Sequence, residues 1–385
     1  MQATKAPNTV GSAPASVPDA DRGRAWHVAA RSVLTRSLGL RRGQTLLIET
    51  FAHTLGVADV LAEEARNLGV RPIVLYAPGS LFAPARGVPP DHLYAITRVE
   101  SAAAQTCDAF IHLPPSPADL DRRDRMPPAY RRAFEARRHE WHRLLVRHLV
   151  PSVDFLAAGA TEESARRFQV RPGDWEKESL RASSVPPALI RKEGLPLLRR
   201  LEAARRVTVS HPNGTRLELG LLGRAPYLDD GAISREDLAH GRVGTTVPGG
   251  YLAVALHERV ANGRFVSNRP SRYRSGIVGG LSWTFRGGRV THFDAARGRD
   301  LVAASYRKAG PERVRPALLE IGLNPKVHDF PLAEDLERGV VTLYIGHNDD
   351  FGGRTRGTYR QYALLRGADL FLDDTLVLKG GERVV

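Results

Sequence analysis

Arg42-Gly43-Gln44-Thr45-Leu46-Leu47-Ile48-Glu49 is a glycine turn followed by a short, nearly unbroken apolar run. A run this short, entered through Gly43, reads as a buried strand. Phe51–Leu68 then places Leu55, Ala58, Leu61, Ala62 and Ala65 on one helical face, with Gly69 where the helix must stop. Arg71–Tyr76 reads as a second strand and Cys107–Leu113 as a third. Strands alternating with helices predict an α/β domain with a largely parallel sheet.

Outward from this unit, Ala129–Leu149 and Pro187–Arg205 read as helices, and Thr161 is placed to cap a further helix with Glu162 and Glu163 in its first turn. From Arg206 onward the pattern changes to short strands between glycine turns. Expected strands are Val207–Ser210, Arg216–Leu221, Tyr251–Leu256, Leu281–Phe285, Val290–Phe293, Val340–Ile345 and Leu370–Leu378. Expected turns are Asn213-Gly214, Asn262-Gly263 and Gly287-Gly288. This gives three parts: a disordered tail rich in Ala, Pro, Ser and Thr over 1–21, an α/β domain over 22–205, and a β-rich α+β domain over 206–385.

Composition narrows the function classes. An apolar fraction of 42% and a charged fraction of 25% suit a folded chain, and there is neither a secretory h-region nor an apolar run long enough to span a bilayer, so a cytoplasmic location and no membrane partner are expected. The single cysteine, Cys107, rules out an internal disulfide framework or a multi-cysteine metal site and reads as an inert thiol near the core. A net charge of +14 invites a nucleic-acid reading, yet the excess is overwhelmingly arginine and no nucleic-acid motif accompanies it. The densest basic stretch, Arg122–Arg147, interleaves Glu135, Glu140 and Trp141 at helical spacing and reads as a solvated amphipathic helix.

Several landmarks in the rear half occur in a familiar order. They are Asn213-Gly214-Thr215-Arg216-Leu217, Val247-Pro248-Gly249-Gly250-Tyr251-Leu252, Ala261-Asn262-Gly263, Ile321-Gly322-Leu323-Asn324-Pro325, Gly339 to Asn348, and Phe351-Gly352-Gly353. Together with the front-half strand and helix they resemble the M29 (aminopeptidase T-like) metallopeptidases, whose relatives include a dihydroxypyridine dioxygenase. The resemblance runs over roughly residues 25–380 and implies the fold of that family and a homodimer. It also implies a two-metal site held by two Glu, two His and an Asp. Here the first Glu falls on Tyr251, the second on Leu318, with Glu320 two residues away, and the first His on Thr342. The closing His and Asp fall on Arg360 and Tyr362 or, counted from the final strand, on Gly367 and Asp369. The ligand set that two divalent ions need is thus mostly replaced.

Side chains at the replaced positions point to other chemistry. A phenol at Tyr251, a hydroxyl at Thr342 and a cation at Arg360 can position a substrate or stabilise developing charge. His347-Asn348-Asp349-Asp350 offers a histidine base oriented by a carboxylate, with Arg354 and Arg356 beyond it to grip an anion. Asp369 and His257 are further candidate substrate contacts, and His211, His292 and His328 read as surface or capping residues. Arg269, Arg272 and Arg274 form a basic loop suited to a carboxylate or phosphate. No cofactor is expected; a single relocated divalent metal on His347 with Asp349 or Asp350 is the alternative.

Three functional readings follow. The first is a divergent enzyme of the M29 type that acts without the metal pair on a small polar or anionic molecule, in specialised metabolism. A second is a non-catalytic pseudo-enzyme that binds a small ligand or a protein. The third is a metal-dependent aminopeptidase or hydrolase whose ligands lie elsewhere in the sequence.

Overall fold

The computed structural model describes residues 20–384 apart from 86, 222, 274–275, 329–330 and 332, with backbone alone at 20 and 21. The expected disorder of 1–21 concerns residues outside that range, save the two where the first helix starts.

Five parallel strands form the front sheet, in the order Arg71–Tyr76, Thr45–Thr50, Ala109–His112, Ser152–Phe155, Gly244–Val247. Side chains alternate across a strand, so each face needs its own helices. Leu46, Ile48, Ala109 and Ile111 bury against Ala29, Ala30, Ala58 and Leu61 of helices Ala20–Ser32 and Leu55–Asn67. Leu47 and Phe110, on the other face, pack on Ala104, Leu144 and Leu145 of helices Arg98–Thr106 and Pro128–Arg147. The last strand, Gly244–Val247, comes from beyond residue 205, so the chain crosses back into the front sheet after entering the rear half.

The basic stretch is two helices rather than one. Pro117–Arg125 ends at Met126-Pro127, because a residue before proline is pushed out of the helical region, and Pro128–Arg147 begins there. Cys107 is buried, and burial pushes its thiol up to about 11. Iodoacetamide at about pH 8 is therefore expected to leave the native protein unmodified while labelling the urea-unfolded chain. Equal labelling rates for the two states would contradict an inert thiol.

The rear half is built on two antiparallel sheets packed face to face, with a separate two-stranded ribbon, Ser271–Tyr273 and Gly276–Val278. One has eight strands and runs from Arg289–Asp294 at one edge to Glu382–Arg383 at the other. The smaller has five, in the order Arg360–Leu365, Val341–Gly346, Pro316–Gly322, Tyr251–Ala255, Pro226–Asp229. Val207, Leu217, Phe265, Trp283 and Leu370 of the large sheet meet Leu252, Val254, Leu319, Ile321 and Leu343 of the small one in a single core. Tyr251, Leu318, Glu320, Thr342 and Tyr344 take the alternate positions and so face away from that core.

Two expected features of the rear half differ. Asn262-Gly263 is not a turn but lies inside strand Ala261–Val266. Gly263 adopts φ +115° there, and a Cβ on it would stand 2.1 Å from the Arg216 carbonyl, so glycine is required for close strand approach rather than for chain reversal. Leu370–Leu378 is a hairpin, Asp369–Leu372 and Thr375–Lys379, reversed at Asp373-Asp374 with Asp373 at φ +50°. Asp373 Oδ1 accepts from the backbone N–H of Arg205 and of Arg206 (3.2 and 3.1 Å), which ties the turn to the start of the domain. No helix among the described residues is long and apolar enough to cross a membrane.

Candidate functional site

The outward face of the small sheet carries the candidate chemistry. Strand Pro316–Gly322 is buried along its whole length, and its one charged residue is Glu320. In register, Glu320 lies opposite Thr342 on one side and Ala253 on the other, while Tyr251 lies opposite Gly322 and Asp229. The Tyr344 hydroxyl donates to Glu320 Oε2 at 2.7 Å and lies 3.4 Å from Asp335 Oδ2. Asp335 arrives from the 3-10 turn Glu334–Leu336, which folds back over the sheet. That turn is held close by backbone bonds from Asn324 N to Leu336 O (2.9 Å) and from Gly339 N to Gly322 O (2.9 Å).

The approach is possible because residue 322 is glycine. A Cβ there would stand 2.1 Å from Glu337 O and 2.6 Å from Asp335 O. Tyr251 packs against Phe168, Trp175 and Ala182 of the front half and Ala333 and Leu336 of the rear. The face therefore lies where the two halves meet, a usual place for a ligand site. Tyr251, Tyr344, Tyr362 and Asp335 keep part of their surface exposed there.

Burial sets the protonation of this cluster. Desolvation, reinforced by the charge of Asp335, pushes the Glu320 carboxyl far above the usual carboxylate range, and desolvation raises Asp335 as well. Burial also lifts Glu334 to about 7, against the pull of Arg272, and Asp229 to about 6. The Tyr251, Tyr344 and Tyr362 phenols are raised well above their ordinary value by burial and by the neighbouring carboxylates, so they stay neutral.

For Glu334 and Asp229 the native state binds protons more tightly than the unfolded chain. Their stabilising contribution is full below about pH 4 and is lost as pH rises through about 6 and 7, by on the order of 2–3 kcal/mol per group. Urea unfolding followed from about pH 5 to pH 8 should show stability falling as pH rises, and Asp229→Asn should flatten part of the slope. A rise across that window would contradict the burial account.

The other expected site residues are placed as follows. Thr342 is fully buried on this face, and its hydroxyl has no hydrogen-bond partner among the described residues. His347, Asp349 and Asp350 cluster past the end of strand Val341–Gly346, with ligand atoms within 4.8 Å of one another. That cluster already holds a cation. Arg360 donates to both oxygens of Asp350, to His347 O at 2.9 Å and, at 3.2 Å, toward His347 Nδ1. His347 Nδ1 lies between Asp349 Oδ1 at 3.3 Å and the Arg360 guanidinium at 3.2 Å: it bonds the carboxylate when it carries the proton and accepts from Arg360 when it does not.

Arg354 and Arg356 are exposed, and the Arg354 N–H donates to Glu258 at 2.7 Å. His257 closes its own turn, accepting from Arg259 N at 3.3 Å. Asp369 belongs to the large sheet, where it accepts from Lys379 and from the Gly380 N–H. Asp369 is therefore not brought to Tyr251 and Thr342, whereas Arg360 and Tyr362 share their face. The basic loop is occupied by the chain's own acids, Arg269 on Glu337 and Arg272 on Glu334, each at 3.0 Å, while Arg274 lies outside the described residues.

Sequence reasoning noted Glu320 without giving it a role and missed Asp335 and Tyr344. The signal for Glu320 was present: one carboxylate in Pro316–Gly322, otherwise apolar, at even spacing from Leu318. Nothing local marks Asp335, whose position depends on the loop after Asn324.

On this face the Glu320 and Asp335 carboxyls are joined by the Tyr344 phenol, and among the described residues the one grouping of three or more His, Cys, Asp or Glu side chains close enough to share a metal ion is His347, Asp349 and Asp350.

No protein-family model and no curated protein matches the sequence. Solved structures do. Wild-type AmpT from Thermus thermophilus superposes with a TM-score of 0.72 over 94% of this chain and 99% of its own, at 16% identity. A 2,5-dihydroxypyridine dioxygenase from Pseudomonas putida KT2440 gives a TM-score of 0.64 over 96% and 99% at 14% identity. With its parallel front sheet and antiparallel rear sheets, the chain has the M29 aminopeptidase T-like fold that the sequence resemblance implied.

Proposed function

We propose that the chain is an enzyme performing general acid–base chemistry on a small polar molecule at the outward face of the small rear sheet, without the metal pair. The observation that carries this reading is the pair of acids joined by one phenol, Glu320 and Asp335 on the Tyr344 hydroxyl. Burial raises both carboxyls, Glu320 further through the charge of Asp335, so the pair retains a proton near neutrality. The protonated member gives a proton to a substrate atom, and the ionised member takes one from the substrate or from water, so no net proton is gained. Tyr251 and Thr342 border the same pair and position the reacting molecule.

Arg360 serves as a structural clamp on Asp350. The His347 cluster, engaged by that clamp, is kept outside the reaction. A binding protein without catalysis is the second reading, favoured by the near-complete burial of Glu320. Comparison of metabolite profiles in the native host decides between them: loss of one product in a Glu320→Gln strain supports catalysis, and an unchanged profile supports binding alone. A cytoplasmic homodimer in specialised metabolism completes the proposal, on the strength of the sequence and the resemblance. Analytical ultracentrifugation checks the dimer, with a purely monomeric profile at micromolar concentration counting against it.

A further inference from the structure

We infer that the ligand of the Glu320 face is a small organic cation, a protonated amine or quaternary ammonium; this rests on the reading of that face as the working site. Glu320, Asp335 and Asp229 gather there, and the cations bordering them already have carboxylate partners of their own, although the Arg360 charge still reaches Glu320. Arg272 is on Glu334 at 3.0 Å, Arg360 on Asp350 at 3.0 Å, and Arg242 on Asp237 at 3.1 Å. The site thus keeps an excess of acid, and the charges of Asp335 and Asp229 both push the Glu320 carboxyl up. An anionic substrate, expected from the arginine-rich loops, would meet this excess directly, while exposed Arg354 and Arg356 lie off the face.

The walls argue for an organic cation over a metal ion. Tyr344 and Tyr362 have ring centroids 5.9 Å apart and Tyr362 and Tyr273 5.2 Å, while Tyr227, 6.3 Å from Tyr251, already has the Arg242 guanidinium 5.4 Å over its ring. Ring faces beside carboxylates are the usual lining for alkylammonium groups, whereas metal ions select converging imidazoles and carboxylates. A second, independent observation points to a ligand. The Thr342 hydroxyl, fully buried opposite Glu320 in the strand ladder, has no partner among the described residues and is free to accept a hydrogen bond from an ammonium N–H.

Calorimetric titration of the full-length protein tests this. The probes are benzylammonium and tetramethylammonium, with benzyl alcohol and benzoate as neutral and anionic counterparts, and zinc and manganese chlorides in separate runs. The expected result is binding of the ammonium probes about tenfold or more tighter than their counterparts, weakened at least about tenfold by Glu320→Gln and by Asp335→Asn. Circular dichroism establishes that the variants fold; if neither does, Tyr251→Leu, which removes a ring and no charge, should weaken the ammonium probes similarly.

Equal or tighter binding of benzyl alcohol or benzoate, binding of the metal chlorides alone, or no binding of any probe overturns the organic-cation assignment. If ammonium selectivity is absent while Glu320→Gln still removes the host product, the acid–base site stands and its ligand is not a cation. With selectivity present and the product unchanged, the face binds a cation without catalysis.

Discussion

Replacing Glu320 by Gln is expected to lower turnover of the native substrate by about a hundredfold or more, because general acid–base groups typically contribute 10²–10⁴. Gln keeps the size of the side chain and can still accept from Tyr344, so the fold should survive. What it removes is the titrating proton. Asp335→Asn should be comparably damaging, and the double variant little worse than either single one, since the two carboxyls act as one unit. Tyr344→Phe should cost less, because it breaks the link and leaves both acids. By contrast His347→Ala should change turnover by less than a few fold, since His347 stands apart from the Glu320 pair with its Nδ1 between Arg360 and Asp349. A large loss in His347→Ala with little in Glu320→Gln would move the chemistry to the other end of the strand.

Gly322→Ala should destabilise the rear domain by about 2–4 kcal/mol, in the range of overpacked buried sites. Its methyl group would enter the space of Glu337 O and Asp335 O, both backbone atoms that no rotamer change can move. The turn carrying Asp335 would then lift from the sheet and lose its bonds to Asn324 and Gly322. Gly56→Ala supplies the control. That glycine lies inside helix Leu55–Asn67 with nothing within 4 Å of an added Cβ, so alanine should stabilise by about 0.5–1 kcal/mol. Urea unfolding of the two variants should shift in opposite directions, and a harmless Gly322→Ala would show that the Asp335 turn is not held as described.

Periodicity made the front half readable. Strand Arg71–Tyr76 is where the apolar run put it, and Thr161 caps its helix by accepting from Ser164 N at 3.2 Å, as its position ahead of two glutamates indicated. Both signals are local, and local signals survive folding. What was not readable depended on distant partners. Gly244–Val247 is four residues long and becomes a strand because it completes the edge of a sheet formed some ninety residues earlier, next to Ser152–Phe155. Asn262-Gly263 has turn chemistry but is fixed as strand by Leu217 and Phe285 on either side.

The same limit governed the site. Tyr251 and Thr342 could be placed by ordered landmarks, and the structure sets both on one face. Which carboxylates they meet was decided by the return of Glu334–Leu336 over Gly322, and no spacing in the sequence encodes that fold-back. Asp369 illustrates the converse. Its alignment was plausible in sequence, yet strand pairing carries it into the other sheet, beside Ser210 and Lys379.

Carbon-13 NMR titration of carboxyl-labelled protein, with Glu320 assigned by its loss in Glu320→Gln, tests the shared proton most directly. The account predicts a Glu320 resonance that titrates well above the ordinary carboxylate midpoint of about 4.3 and moves down when Asp335 is replaced by Asn. A midpoint at or below about 4.3, unmoved by Asp335→Asn, would contradict it.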